Sequence, residues 1–142
     1  MPKVEREIVI DAPMDTVFDV ITDYERYPEF LPETQDVQLV SRDNSGAVVR
    51  FELDLVMRVA YTLRLVEQRP ERVSWTLEEA KVMAENNGGW RLEAAGEGRT
   101  KATYGLEVKL RGLIPKSVST RLMGTTLPQT LERFKARAES ML

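Results

Sequence analysis

Between Val37 and Leu110 the apolar residues recur at every second position, in six runs separated by short turn-forming stretches. Val37 and Leu39 flank Gln38, and Phe51, Leu53, Leu55 and Met57 alternate with Arg50, Glu52 and Asp54. Val59, Tyr61, Leu63 and Leu65 alternate with Arg58, Thr62 and Arg64, and Val73, Trp75 and Leu77 with Ser74, Thr76 and Glu78. Trp90, Leu92 and Ala94 face away from Arg91 and Glu93, and Ala102, Tyr104, Leu106, Val108 and Leu110 away from Thr103, Glu107 and Lys109. A period of two is the period of a β-strand with one buried and one wet face. Short connections then make the strands antiparallel neighbours. Asp43-Asn44-Ser45-Gly46 is a hairpin signal, and Asn86-Asn87-Gly88-Gly89 predicts a second turn.

The segment from Ile114 to Met141 has a different period. Ile114, Val118, Met123, Leu127, Leu131, Phe134, Ala138 and Met141 recur at steps of three to five, a single stripe along a helix. A helix from Lys116 to Ser140 would span roughly 37 Å at ~1.5 Å per residue. Gly124 and Pro128 interrupt it, and Pro128 predicts a kink because its ring meets the carbonyl four residues back. The stretch around Met123, Gly124 and Leu127 then reads as the roof of any cavity, and the part from Leu131 onward as an anchor.

At the other end, Glu5 to Ile10 reads as a first strand, with Ile8 and Ile10 on one face and Glu5 and Glu7 on the other. Asp11-Ala12-Pro13 stops it, Pro13 suits a helix start, and Asp15 favours the positive end of that helix. Met14, Val17, Phe18 and Ile21 form its buried side. Pro28 and Pro32 limit the following helix to a short one ending near Tyr27. The expected order is strand, two short helices, six strands, long helix. One sheet face and one helical stripe must cover each other, so the sheet has to curl. The expected class is α+β: a curled seven-stranded antiparallel sheet around a long C-terminal helix, in a single domain over residues 1–142.

Composition narrows the chemistry. The 142 residues contain no cysteine and no histidine. Thiolate chemistry, the usual neutral-pH base and the commonest zinc ligand are therefore absent, and neither a metal nor a cofactor is expected. A formal net charge of −3 provides no global basic field for nucleic acid. The opening Met1-Pro2-Lys3-Val4-Glu5-Arg6 has no apolar signal core, and no run approaches the length of a membrane span, so a cytoplasmic protein is expected.

Ile10-Asp11-Ala12-Pro13 leading into Val17-Phe18, followed by Asp23-Tyr24-Glu25-Arg26-Tyr27-Pro28-Glu29-Phe30-Leu31-Pro32, resembles the START-like superfamily, also called SRPBCC or the helix-grip fold. Gly89-Trp90-Arg91-Leu92 and the closing Leu127-Pro128-Gln129-Thr130-Leu131-Glu132-Arg133-Phe134-Lys135 are similar to its polyketide cyclase/dehydrase and lipid-transport branch. That branch includes coenzyme-Q-binding proteins and a ribosome-association toxin. The resemblance covers essentially the whole chain. It implies the helix-grip fold and a cavity for an apolar molecule between the sheet and the last helix. It departs at Glu33-Thr34, where quinone-binding relatives often carry an aromatic–cysteine pair, so it does not point to ubiquinone itself.

The inward face predicted from the alternation carries no Asp, Glu, Lys or Arg, and its polar atoms are two tyrosine hydroxyls and two indole N–H groups. Alternation alone is equally consistent with a packed core, whereas the resemblance favours a pocket. The candidate ligand-binding residues are Phe51, Leu53, Met57, Tyr61, Leu63, Trp75, Met83, Trp90, Tyr104 and Leu106 from the sheet, with Met123 and Leu127 from the helix. The expected function is binding or transport of a lipid, isoprenoid, quinone or polyketide. A cyclase or aromatase is one alternative, for which only Tyr61 and Tyr104 are interior proton donors, and no catalytic residue is assigned. A ribosome or protein module is the other, although Lys116, Arg121, Arg133, Lys135 and Arg137 are interspersed with Glu132 and Glu139, as on a solvated helix face.

Overall fold

Alternation through Val37–Leu110 folds into one seven-stranded antiparallel sheet of order β1-β7-β6-β5-β4-β3-β2 in a computed structural model, which describes residues 3–55, 57–112, 115, 117 and 126–142. The strands are β1 (Lys3–Ile10), β2 (Thr34–Arg42), β3 (Gly46–Leu55), β4 (Met57–Gln68), β5 (Arg72–Ala80), β6 (Met83–Ala94) and β7 (Thr100–Leu110). Helix α1 (Met14–Thr22) and a 3-10 helix (Tyr24–Glu29) connect the two edge strands, and α2 (Thr126–Glu139) closes the chain. This is the expected seven-stranded antiparallel sheet, with two short helices after the first strand and a helix at the C-terminal end.

Local chemistry sets the element ends. Pro13 occupies the N-cap position of α1, where its carbonyl accepts from the Val17 N–H at 3.1 Å, and Asp15 lies in the first turn. Val17, Phe18, Val20 and Ile21 are its buried face. Arg69, in the β4–β5 connection, pairs with Asp15 and Asp19 on α1 and places its guanidinium 4.6 Å from the Phe18 ring centre. Pro28 is accommodated inside the 3-10 helix, whose Tyr24 hydroxyl donates to Glu67 on β4 at 2.6 Å. At the β2–β3 hairpin, Asp43 Oδ1 accepts from the Ser45 N–H at 2.8 Å and the Gly46 N–H at 3.1 Å. A side chain thereby replaces the hydrogen bonds that the turning backbone gives up.

The expected turn at Asn86-Asn87-Gly88-Gly89 is corrected. These residues lie inside β6, paired with β7 from Asn86↔Val108 to Gly89↔Gly105. The β5–β6 turn falls at Lys81-Val82 instead. The two glycines answer a different need: a β-carbon on Gly88 would stand 2.2 Å from the carbonyl oxygen of Gly105 and 2.9 Å from Trp75 Cζ2. They admit a neighbouring backbone and a ring where a turn was expected.

The core runs beneath the whole sheet, with Leu131, Phe134 and Ala138 buried from α2 and Val49, Trp75, Trp90, Leu92, Ala102 and Leu106 from the strands. The α2 segment packs against β1 and α1. Lys135 donates to the Val9 carbonyl at 3.0 Å, and Glu139 accepts from the Asp11 N–H at 2.8 Å. The predicted kink at Gly124–Pro128, with Ile114, Val118, Met123 and the Leu127 side chain, lies outside the described residues. Pro128 itself is within the described α2.

Candidate functional site

A cavity of about 130 Å³ lies between the concave sheet face, the 3-10 helix and α2. From the sheet, Phe51, Leu53, Tyr61, Leu63, Trp75, Trp90, Tyr104 and Leu106 line it, all eight on the face marked out by the alternation. Leu65 and Asn86 join them from β4 and β6. Tyr27, Leu31 and Glu33 enter from the segment between α1 and β2, Thr34 from the start of β2, and Thr130 and Phe134 from α2. The part of the last helix expected to be only an anchor therefore also covers the cavity.

Met57 and Met83 stand apart. They belong to a second cluster, with fully buried Met83 packed on Val59 and with Leu53, Leu77 and Leu110 around it. The reason is a parting of strands. Ladder pairing of β5 with β6 runs from Arg72↔Arg91 to Trp75↔Gly88, although both strands continue to the Lys81-Val82 turn. The second cluster fills that open end of the hairpin and borders the cavity through Leu53 and Tyr61, while Met57 and Met83 do not line it. Met123 and the Leu127 side chain lie outside the described residues.

Seven of the lining side chains are aromatic, and their rings touch in one continuous chain. Trp75 meets Tyr104 at 5.6 Å between ring centres, and Tyr104 meets Trp90 at 4.9 Å. Trp90 meets Phe134 at 5.1 Å, and Phe134 meets Tyr27 at 5.3 Å. Tyr27 meets Phe51 at 6.0 Å, and Phe51 stacks on Tyr61 at 5.5 Å. Most contacts are edge-to-face or tilted, which sets positive ring edges against negative faces. Rings are broad and have few rotatable bonds, so the wall they form is rigid as well as apolar.

Polar atoms in the wall are few. Glu33 is the charged lining residue among those described, and Thr34 beside it is buried. This is the position at which the sequence departs from the quinone-binding pattern, so the departure falls in the cavity wall. Trp75 Nε1 donates to Asn86 Oδ1 at 3.0 Å. Asn86 is 4% exposed and was not among the candidates, because Asn86-Asn87-Gly88-Gly89 reads as a turn. Extending the alternation back from Trp90 through Gly88 to Asn86 is the signal that would have found it. Tyr27 was hidden differently, in a proline-flanked segment with no period to read.

The site has limited proton chemistry. Burial pushes the Tyr61 phenol well above its ordinary value, with nearby Tyr104 adding to the effect, and burial alone does the same for Tyr104. Both remain protonated at neutral pH and serve as hydrogen-bond donors rather than bases. Among the described residues, no group of three or more Asp or Glu side chains is placed to hold a metal ion. Likewise, no described helix is long and apolar enough to cross a membrane.

A family model described as polyketide cyclase/dehydrase and lipid transport matches residues 10–135. The ribosome association toxin RatA of Pseudomonas aeruginosa is 26% identical over 141 residues, spanning 97% of this chain and 96% of the toxin. A START superfamily protein from Mycobacterium smegmatis superposes with a TM-score of 0.85 over 99% of both chains at 17% identity. An aromatase/cyclase, Zhui, from a Streptomyces species gives 0.83 over 97% of this chain and 93% of that one, at 21% identity. These two structural likenesses establish the fold.

Proposed function

We propose that this chain, which belongs to the polyketide cyclase/dehydrase and lipid-transport family, binds an apolar, ring-bearing small molecule between its sheet and its last helix and carries or presents it. The observation that supports this is the continuous chain of seven rings around an interior cavity. A packed core gains by filling such a space, since unfilled volume in a core costs stability. A cavity retained behind a rigid aromatic wall suits a guest that supplies the missing contacts. Few polar lining atoms, fixed in place, are what small-molecule sites use for orientation.

Native mass spectrometry of the purified protein, followed by organic extraction, tests the reading. The expected result is a mass above that of the chain alone, with the excess recovered in the organic phase as an apolar compound. A single unliganded mass, together with no uptake of lipid, quinone or aromatic probes, would sink it.

A second reading draws on the relative's name: association with the ribosome, supported by similarity along the whole length. Against it, many surface cations are already paired, as in Arg64–Glu78 at 3.0 Å and Arg137–Glu29 at 2.6 Å. Co-sedimentation with ribosomes that weakens steeply with salt would support this reading, and none at low salt would remove it.

A further inference from the structure

Asn86 stands where the β5–β6 ladder has ended, and its side chain takes over the link between the strands. An indole N–H can only donate, so the Trp75 bond fixes Asn86 with Oδ1 toward the ring and Nδ2 away from it. One amide hydrogen reaches the Met83 sulfur, a weak acceptor 3.7 Å from Nδ2. The second has no partner among the described residues. Because Asn86 lines the cavity, this is a pre-oriented amide donor in a wall built mainly of aromatic and leucine side chains, beside the Tyr61 and Tyr104 hydroxyls.

A buried amide donor left without a strong acceptor is costly, and a guest that supplies one removes that cost. Orientation is already set by Trp75, so little freedom is lost when the guest arrives. Size adds a second constraint. At about 130 Å³ the cavity is close to the ~150 Å³ cavity, lined by apolar side chains, that holds a single benzene ring. We propose that Asn86 is the specificity-determining residue of this site, donating its second amide hydrogen to an oxygen acceptor on a guest whose inserted part is one aromatic ring bearing a carbonyl. This rests on the reading of the cavity as a ligand site and adds the chemical class of the guest.

Acetophenone and ethylbenzene are nearly the same shape and differ in the carbonyl, so together they separate the two ideas. Both are titrated by NMR into the wild-type protein and into Asn86→Leu. Loss of one hydrogen bond is expected to weaken acetophenone about three- to tenfold in the variant, while ethylbenzene changes less than about twofold or tightens. In the wild type, the Asn86 side-chain amide signal should move downfield with acetophenone and stay put with ethylbenzene. Equal effects of Asn86→Leu on both probes, or no movement of the amide signal, overturn the assignment of Asn86 and leave the ligand site standing. Binding of neither probe to the wild type overturns both. If Asn86→Leu does not fold because Trp75 loses its acceptor, the wild-type amide signal and the Trp75→Phe, Asn86→Leu double variant carry the decision.

Discussion

Gly88 lies directly beneath the indole of Trp75: a β-carbon on Gly88 would stand 2.9 Å from Trp75 Cζ2 and 2.2 Å from the Gly105 carbonyl oxygen. The second contact is to backbone, which cannot swing aside. Gly88→Ala should therefore destabilise the fold by about 1–3 kcal/mol or more, as forced overpacking does. Gly105 faces open space, with nothing within 4 Å of its would-be β-carbon. Gly105→Ala should be neutral or stabilise by ~0.4–1 kcal/mol, through the reduced freedom of the unfolded chain. Denaturant midpoints of the two variants, with unchanged m-values, check the pair. Equal effects would mean that close approach is not what Gly88 supplies.

The same glycine shows where sequence reasoning stops. The succession of strands and the inward set from Phe51 to Leu106 follow from a period of two, because one-sided burial writes itself into every second residue, and the two short helices follow from the placing of Pro13, Pro28 and Pro32. Gly88 breaks that signal, since absence of a side chain reads equally as a turn or as room for a neighbour. Asn86 was lost with it. Tyr27 and Phe134 reach the cavity from helices, and which residues of a helical face meet a given spot depends on packing angles that no periodicity carries. The last helix could be placed on the sheet from its stripe, but its division into anchor and roof could not be drawn there.

All four tyrosines, Tyr24, Tyr27, Tyr61 and Tyr104, are held above their ordinary value, chiefly by burial. For Tyr24 the hydrogen bond it donates to Glu67 adds to the shift. The folded state thus retains phenolic protons that the unfolded chain loses above about pH 10. Stability from this source is complete below that pH and falls as pH rises further. Tyrosinate absorbance should appear together with loss of the fold, in one transition. A phenol that titrates near pH 10 while the far-UV signal is intact would contradict the burial described.

Glu139 fastens the end of α2 to the start of the chain. Its carboxylate accepts from Lys135 and from the Asp11 N–H, and these bonds hold it below the ordinary carboxylate range, the Lys135 bond contributing most. A depressed carboxylate stabilises the fold above the unfolded value of about 4.3 and loses that effect as pH falls through its folded value. Glu139→Gln should therefore lower the melting temperature at pH 7 more than at pH 3 and flatten the acid limb. A uniform shift at both pH values would assign the loss to packing instead. Salt should reduce the pH 7 difference, because the pair is only half-buried and still reaches solvent.

Tyr61 and Tyr104 decide between carrying and catalysis. Both line the cavity, and neither hydroxyl meets a hydrogen-bond partner among the described residues. Removing hydroxyls that have no partner among the described residues orphans no described group, so Tyr61→Phe, Tyr104→Phe should keep its melting temperature within a few degrees. The rings remain, and with them the wall that an apolar guest contacts. A carrier should accordingly keep an acceptor-free hydrocarbon probe such as ethylbenzene within about threefold of wild type. A cyclase or dehydratase has to move protons inside the cavity, and these phenols, held protonated by burial, are its donors there. Such an enzyme should lose about 10²–10⁴-fold in turnover in the double variant while binding changes little. Assays of binding and of aromatic polyketide cyclisation on the same preparation separate the two, since retained affinity with lost turnover identifies chemistry and retained affinity with no turnover in either protein identifies carriage.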